Sequence, residues 1–397
     1  MTYFDHAATT PLCDQAYEIM QPFLRENFGN PSSLHHLGKS ARFAVETARE
    51  QVAALLGARP AEIVFNSGAT EGNNHALKGI AHRLKDRGRH IVTTQIEHDA
   101  VLHPCQSLER DGYEVTYVGV SNDGIVRFDE LAAAFRPDTI LVSVMHANNE
   151  MGTLQPIREI GALCRERKII FHCDACQTAG HIPLDVGDLN VDLLTCSAHK
   201  FYGAKGAGAL YIRRGVRLET LIDGGTQQRS RRAGTENVPS IAAMGAAAVV
   251  AINAMQNGEE ERVAALRERL IQGILKNVSG AHLNGHRQTR VPGIVNFSFE
   301  RIEGEGLILE LDARGGFCCS TGSACAAGSL DPSPVLLAIG RENSLARAGT
   351  RFSLGRGNSE IEVDALVQLL PVVLESLRDL SPQARAARVG NQADNAG

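Results

Sequence analysis

A lysine and an aspartate each follow an apolar run of the sequence. The run 191–196 leads to Lys200, and the earlier run 168–173 leads directly to Asp174. A lysine amine forms a Schiff base with an aldehyde, and a carboxylate can pair with a pyridinium nitrogen. Two buried strands that end in these groups predict a site for pyridoxal 5'-phosphate (PLP), with Lys200 as the amine and Asp174 as its acid partner.

A thiol lies far downstream, in a stretch of small residues. The sequence there is Ser320-Thr-Gly-Ser-Ala-Cys325, and two alanines and a glycine follow it. Such residues give little to pack and leave the backbone mobile. We interpret the stretch as a loop that presents a reactive cysteine, and a static turn is the alternative interpretation. A thiol together with a PLP site predicts sulfur chemistry on an amino acid.

Polar residues follow several apolar runs. They form five clusters, at 66–71, 97–98, 148–152, 174–177 and 197–200. Each alone is ordinary turn or helix-cap chemistry. Ligands bind beyond the carboxyl ends of the strands in an open parallel sheet, so five successive clusters predict one shared ligand site. The first cluster opens a helix, whose N-terminus favours a phosphate. No Gly-x-Gly-x-x-Gly lies at a strand–helix junction, which argues against a dinucleotide-binding oxidoreductase.

Extended and helical patterns alternate along the first half of the chain. The predicted strands are 62–66, 90–94, 114–118, 139–144, 168–173, 191–196 and 207–212. The predicted helices are 38–56, 70–87, 98–110, 128–136 and 156–167. This alternation predicts an α/β domain with a mostly parallel sheet that helices cover on both faces.

The length of the chain predicts two domains. A chain of 397 residues is too long for one compact core. An alanine-rich run over 238–255 predicts a buried helix, and the polar stretch after it marks a boundary. We expect a large α/β domain over 13–258 and a smaller α+β domain, made of 1–12 and 259–382, that carries the cysteine loop. The polar residues 383–397 predict a disordered tail.

The bulk composition excludes several classes of protein. A net charge of −5 offers no basic excess for nucleic-acid phosphates. No apolar run is long enough to span a bilayer, and the first residues show no secretory signal. Nine scattered cysteines, an odd number, fit reduced thiols better than a disulfide framework. We therefore expect a soluble, cytoplasmic enzyme.

The motifs together resemble the cysteine desulfurases of the NifS/IscS type. These are PLP enzymes of fold type I, similar to class-V aminotransferases, with a large, mostly parallel seven-stranded α/β/α domain and a smaller α+β domain. The motifs lie in the right order over nearly the whole chain. They are Asp5-His-Ala-Ala-Thr-Thr10, Phe28-Gly-Asn-Pro-Ser-Ser33, Ser67-Gly-Ala-Thr-Glu71, Glu97-His98, His146-Ala-Asn-Asn-Glu150, Asp174 with Gln177, Ser197-Ala-His-Lys200, Arg232-Ala-Gly-Thr-Glu-Asn237, Ser323-Ala-Cys325 and Arg351-Phe-Ser-Leu-Gly-Arg356.

The resemblance implies a role for each cofactor contact. Lys200 holds PLP, Asp174 keeps the ring nitrogen protonated, and His98 stacks on the ring and transfers protons. Gln177 donates to the ring oxygen. The remaining cofactor contacts that it implies are Ala69, Thr70, Asn149, Ser197, His199 and Thr235, of which Thr235 comes from a partner subunit.

The resemblance also implies the reaction. The enzyme converts L-cysteine to L-alanine, and Cys325 is the nucleophile that takes the sulfur as a persulfide. Asn149 and Arg351 orient the substrate, and Arg351 grips the carboxylate through a bidentate pair. A free thiol is only slightly ionised at neutral pH, so a base such as His98 is needed.

The implied partners are a second copy of the chain and a sulfur acceptor. The acceptor is an iron–sulfur scaffold, including one for nitrogenase clusters, or another sulfur-delivery protein such as one in tRNA thiolation. The persulfide of Cys325 would then be a transient iron–sulfur ligand. The residues 384–397 lack the aromatic end with which the housekeeping branch contacts its scaffold, so the acceptor stays open. Direct nucleic-acid or membrane contacts are not expected.

Alternative interpretations remain for two pairs of cysteines and for the function. Cys173 and Cys176 surround Asp174 as packing residues or, less favoured, as metal ligands. Cys318 and Cys319 pack ahead of the loop or, less favoured, relay sulfur. A selenocysteine lyase or aminotransferase would keep the cofactor, and a non-enzymatic iron–sulfur carrier would use the cysteines without it.

Overall fold

The computed structural model describes residues 1–321 and 331–380, with Leu380 described by its backbone alone. The strands are β1 (Thr2–Tyr3), β2 (Ile63–Asn66), β3 (His90–Thr94), β4 (Glu114–Val118), β5 (Thr139–Ser143), β6 (Ile170–Asp174), β7 (Leu193–Ser197), β8 (Gly208–Ile212), β9 (Ala281–Asn284), β10 (Ile294–Phe299), β11 (Phe317–Cys318) and β12 (Gly349–Ser353). The helices are α1 (Asp14–Arg25), α2 (His36–Leu56), α3 (Ala69–Arg83), α4 (Asp99–Arg110), α5 (Phe128–Ala133), α6 (Ile157–Arg167), α7 (Gln227–Ser230), α8 (Val238–Gln256), α9 (Glu259–Asn277), α10 (Gly304–Gly315), α11 (Pro334–Ala338), α12 (Asn343–Arg347) and α13 (Glu360–Leu380).

The largest sheet confirms the predicted α/β architecture. Its seven strands lie in the order β2-β8-β7-β6-β5-β3-β4. Only β8 runs against its neighbours β2 and β7, and the other pairs are parallel. The strands β2, β3, β5, β6 and β7 therefore end at the same edge, where the polar clusters were predicted to meet.

Both faces of this sheet are buried, because neighbouring residues along each strand point into opposite cores. Leu194 lies in the core that includes α2 and α8, whereas Leu193 lies in the core beside α3 and α4. In β3, Val92 lies in the first of these cores and Ile91 in the second. This explains why the strands are continuous apolar runs rather than alternating ones.

Two helices end earlier than predicted. The helix expected over 70–87 ends at Arg83, and Gly88 follows, close against the backbone of Asp138. The helix expected over 128–136 ends at Ala133. Pro137 explains the second difference, because a residue before proline disfavours the helical conformation.

The alanine-rich helix α8 corrects one expectation. It is 19 residues long and apolar enough to cross a membrane by length and composition, although no such run was expected. It packs against α1 and α2, and 61% of its apolar window is buried in the protein. An interior helix of a globular fold has the same length and composition, so this feature is weak evidence for a membrane.

Two smaller sheets lie in the C-terminal half. One has the antiparallel order β12-β10-β9, and the other pairs β1 with β11 in parallel. Phe4 packs in one core with apolar residues of α9, α10 and α13. The chain start therefore packs with its C-terminal elements, and the limits of the two predicted domains stay a prediction.

Candidate active site

A cavity of about 700 Å³ opens at the carboxyl edge of the large sheet. Residues after β2, β3, β5, β6 and β7 line it, together with residues of the N-terminus, α11 and β12. Ten of the predicted site residues lie in its wall. They are Ala69, Thr70, His98, Asn149, Asp174, Gln177, Ser197, His199, Lys200 and Arg351.

Two predicted site residues do not contribute to this wall. Thr235 is exposed and lies outside the described cavity lining. Its assignment to a partner subunit therefore stays a prediction. Cys325, with its predicted roles as nucleophile and transient iron–sulfur ligand, falls outside the described residues.

Lys200 ends a short 3-10 turn, Ala198–Lys200, that follows β7. Its carbonyl oxygen accepts a hydrogen bond from the His181 ring at 2.9 Å, which fixes its backbone. Its Nζ donates to the carbonyl oxygens of Ala7 and Ala8 at 2.6 and 2.9 Å. Burial lowers the pKa of the Lys200 amine, and the charge of Arg351 acts in the same direction. A lowered pKa leaves more of the amine neutral and nucleophilic.

Asp174 is held by two hydrogen bonds. Asn73 donates from Nδ2 to Oδ2 at 2.6 Å, and the backbone N–H of Cys176 donates to Oδ1 at 3.0 Å. The carboxylate is buried at the end of β6. Asn73 was not predicted. It lies one helical turn after Thr70, and that spacing from the phosphate cluster was the available signal.

The first turn of α3 forms another part of the wall. Gly68 precedes the helix with a φ of +148°, a conformation that favours glycine. The N–H groups of the turn that follows face no earlier helical carbonyl. Elsewhere in the cavity wall, burial and the charges of Lys200 and Lys205 lower the pKa of His199 to about 4.

Glu97 and His98 follow β3 with different environments. His98 caps α4, and its Nδ1 accepts the Ala100 N–H at 3.0 Å. Glu97 Oε1 accepts from Thr94 Oγ1 at 2.7 Å and from the Met145 N–H at 3.0 Å. Burial raises the pKa of Glu97 to about 8. A neutral acid beneath the site was not predicted.

Arg351 carries its charge into the interior on β12. It is 2% exposed, donates from Nη1 to the Asn149 carbonyl at 2.8 Å and pairs from Nη2 with Asp5 Oδ1 at 2.9 Å. Asn149 and Arg351, predicted to bind the substrate, are therefore in direct contact. Next to them, burial raises the pKa of Glu150 to about 7, and Glu150 accepts from Ser333 Oγ at 2.7 Å.

Three cysteines of the two pairs, Cys173, Cys176 and Cys319, are buried. Within residues 1–321 and 331–380, no group of three or more His, Cys, Asp or Glu side chains could hold a metal ion. Cys173 lies in the core of the large sheet, and Cys319 packs in the core that contains Phe4. Cys176 is also buried but reaches the cavity wall. Packing is thus supported for Cys173 and Cys319.

The comparisons with known proteins decide the family. The profile of the class-V aminotransferases matches residues 2–366. The cysteine desulfurase IscS of Dictyoglomus turgidum is 49% identical over 390 residues, which cover 98% of each chain. The chain belongs to the cysteine desulfurases of the class-V aminotransferase family.

Solved structures agree with this family. A NifS-like protein superimposes with a TM-score of 0.89 at 38% identity, and the match covers 95% of this chain and all 100% of the other. A structure described as SspA in complex with cysteine has a TM-score of 0.80 at 37% identity and covers 89% and 99% of the two chains. The predicted fold class, enzyme class and PLP dependence are thereby confirmed.

The residues present fit the cofactor of a cysteine desulfurase. The Lys200 amine suits the aldehyde, the Asp174 carboxylate suits the ring nitrogen, and the first turn of α3 suits the phosphate. At that turn, a Cβ on Gly68 would lie 3.6 Å from Ser197 Oγ. The missing side chain therefore leaves open the space that a phosphate would take.

Proposed function

We propose that this enzyme converts L-cysteine to L-alanine with Lys200, Asp174 and Arg351 as its fixed groups and Cys325 as its sulfur acceptor. One observation supports the proposal above others: an amine, a carboxylate and a buried guanidinium line the same cavity. An amino acid presents an amine and a carboxylate, and the cavity offers a partner for each. The structural neighbour described with cysteine makes L-cysteine the first substrate to test.

Arg351 and Asn149 position the substrate. A guanidinium binds a carboxylate through two parallel hydrogen bonds, and burial strengthens both hydrogen bonds. The contact between Arg351 and the Asn149 carbonyl keeps the guanidinium at the cavity wall. The substrate amine then points towards Lys200 across the same space.

The other residues hold and move protons. When bound, PLP supplies an electron sink that withdraws electrons from the substrate carbon atoms. Asp174, held by Asn73, keeps a negative charge at the ring nitrogen. Lys200 and the Nε2 atom of His98 take and return protons. The Cys325 thiolate attacks the substrate sulfur, a sulfur–sulfur bond forms, and the bond from sulfur to the substrate Cβ breaks. The electron pair of the broken bond stays with Cβ, which takes a proton and becomes the methyl group of alanine.

The active enzyme is a homodimer in this proposal. Thr235 is exposed and, in this dimer, would contact the phosphate turn of the partner subunit. Exposed large apolar side chains within residues 17–43 support burial by a second copy. They include Tyr17, Leu24, Phe28, Leu34 and Phe43.

The sulfur leaves through an acceptor protein in the cytoplasm. An iron–sulfur scaffold is the acceptor that we favour, because relatives about half identical to this chain are named IscS. Cys325 would then be a transient iron–sulfur ligand through its persulfide. Delivery to nitrogenase clusters or to tRNA thiolation uses the same persulfide.

The decisive experiment incubates the PLP-loaded enzyme with L-cysteine and a thiol. Alanine and sulfide are expected in equal amounts, and borohydride is expected to fix PLP onto Lys200, as read by peptide mass spectrometry. Cys325→Ser should remove sulfide release, whereas Cys318→Ser, a matched serine variant outside the cavity lining, should retain it. Alanine without sulfide, or full activity in Cys325→Ser, would contradict the proposal.

A further inference from the structure

Residues 4–10, called here the N-terminal segment, form one side of the cavity. Ala7 and Ala8 present carbonyl oxygens to Lys200 Nζ at 2.6 and 2.9 Å. The Ala7 carbonyl also accepts from Gln177 Nε2 at 3.1 Å. The backbone of this segment therefore forms hydrogen bonds with the cofactor lysine directly.

Ser353 on β12 determines where these carbonyl oxygens lie. Its Oγ accepts from the Ala7 N–H at 2.9 Å and donates to the Phe4 carbonyl at 3.3 Å. Its backbone N–H donates to the same Phe4 carbonyl at 2.7 Å, and its carbonyl accepts from His6 at 3.2 Å. Ser353 is 1% exposed and lies outside the described cavity lining. It acts on Lys200 only through the segment.

Two carbonyl acceptors have an electrostatic consequence for the lysine. A hydrogen bond to the charged form of a group favours that form, so the two oxygens stabilise an ammonium at Nζ. The groups that face Nζ electrostatically are the Cys176 thiol, Arg351, Asp174 and Asp5. Burial and Arg351 lower the pKa, whereas the carboxylates raise it. The two carbonyl oxygens thus offset part of the decrease in the Lys200 pKa that burial causes, and they do so without adding another charge.

We propose that the Ala7 and Ala8 carbonyl oxygens hold the Lys200 ammonium whenever this lysine is not bonded to the cofactor, and that Ser353 is the positioning residue for this contact. The proposal rests on the assignment of Lys200 as the PLP lysine. It assigns a function to the backbone of the N-terminal segment, which keeps the amine in one place at the cavity wall, with its proton.

The test measures Lys200 in the apoenzyme. PLP is removed from the full-length protein, and the acetylation rate of Lys200 by acetic anhydride is followed against pH by peptide mass spectrometry. Ser353→Ala should shift the midpoint of this profile to lower pH by about 1 unit, because a hydrogen bond to a charged group is disrupted. Ser298→Ala is the matched control. Ser298 is equally buried on the neighbouring strand β10, and its Oγ accepts from Asn284, not from the segment.

The profile of Ser298→Ala should coincide with that of the parent protein. If Ser353→Ala also coincides with the parent, or shifts to higher pH, the proposal is wrong. Cysteine is nearly isosteric with serine and accepts hydrogen bonds weakly, so the midpoint of the Ser353→Cys profile should shift part of the way. This variant replaces Ser353→Ala if the alanine variant does not fold. Borohydride reduction of the loaded parent tests Lys200 separately, so a failure of the cofactor assignment is distinguishable from a failure of this proposal.

Discussion

Asn73 Nδ2 lies 2.6 Å from Asp174 Oδ2 in the buried floor of the cavity, and both side chains are almost wholly removed from water. Asn73 is on α3, the helix whose first turn also suits the cofactor phosphate. In the proposed cofactor site, the same helix therefore supplies the phosphate turn and orients the Asp174 carboxylate.

Asn73→Ala should lower kcat for L-cysteine about 10-fold. A hydrogen bond to a charged group contributes about 1.5–3 kcal/mol, and 1.4 kcal/mol corresponds to a factor of ten. Asn73→Asp should lower kcat further, because two adjacent carboxylates share a proton and Asp174 loses negative charge. Steady-state alanine formation measures both, and Asn74→Ala, on the neighbouring position of α3, should keep the parent rate. Equal rates for Asn73→Ala and Asn74→Ala would show that Asn73 does not orient the acid.

Arg351→Lys should raise KM for L-cysteine about 10- to 100-fold and change kcat less. A lysine keeps the charge but loses the planar, bidentate geometry that fits a carboxylate. The visible absorption of bound PLP should change little, since a lysine at this position keeps the positive charge that acts on the Lys200 pKa. Arg347→Lys, an exposed arginine on α12, is the control. An unchanged KM in Arg351→Lys would assign the substrate carboxylate to another group.

The sequence could predict the sheet and the residues at its edge for a physical reason. Strands buried on both faces are continuous apolar runs, and a polar residue that ends such a run lies at the strand end. Lys200, Asp174 and His98 are all of this kind. Their convergence follows from the parallel order of the strands, which needs no knowledge of side-chain packing.

Other parts of the site gave no such signal. The partner of Asp174 lies 101 residues earlier, on a helix where an asparagine is ordinary. Burial raises the pKa of Glu97 above that of exposed glutamates, and burial depends on tertiary packing. The contacts from Ala7 and Ala8 to Lys200 are made by carbonyl oxygens, which every residue carries. Contacts of these kinds follow from the folded structure and not from residue type.

Glu97→Gln should change the pH dependence of stability. The pKa of Glu97 is raised from 4.5 to about 8 by burial, so the folded protein keeps a proton that the unfolded chain has lost. The contribution of this group to the free energy of unfolding is therefore fully present below pH 4.5, and it decreases as the pH rises to about 8. Glutamine stays neutral, so the variant should gain stability relative to the parent across this window, by up to about 1.4 kcal/mol per pH unit.

Thermal or urea unfolding at several pH values between these limits measures the gain. The buried rings of His146 and His172, whose pKa values burial lowers to about 4, have the opposite pH dependence, but they are common to variant and parent and cancel in the difference. Glu159→Gln, at an exposed position of α6, supplies the baseline. A stability difference between Glu97→Gln and the parent that is flat with pH would show that Glu97 is ionised in the folded protein.

Arg232 and Glu71 should control how long PLP stays bound. Arg232 donates from Nε and Nη2 to the two Glu71 oxygens at 2.8 and 3.2 Å, and Glu71 Oε2 also accepts the Ser67 N–H at 2.9 Å. The pair therefore holds the phosphate turn from the segment that leads to Thr235. Arg232→Gln and Glu71→Gln should each speed PLP dissociation about 10-fold, because removing one member of a largely buried pair leaves the other unpaired. The double variant should release PLP no faster than either single variant, since the residues act through one contact.

Arg231→Gln, at the adjacent position, should keep the parent rate of PLP release in a spectroscopic chase. Additive effects in the double variant would show that Arg232 acts through Thr235 and the partner subunit instead of through the turn.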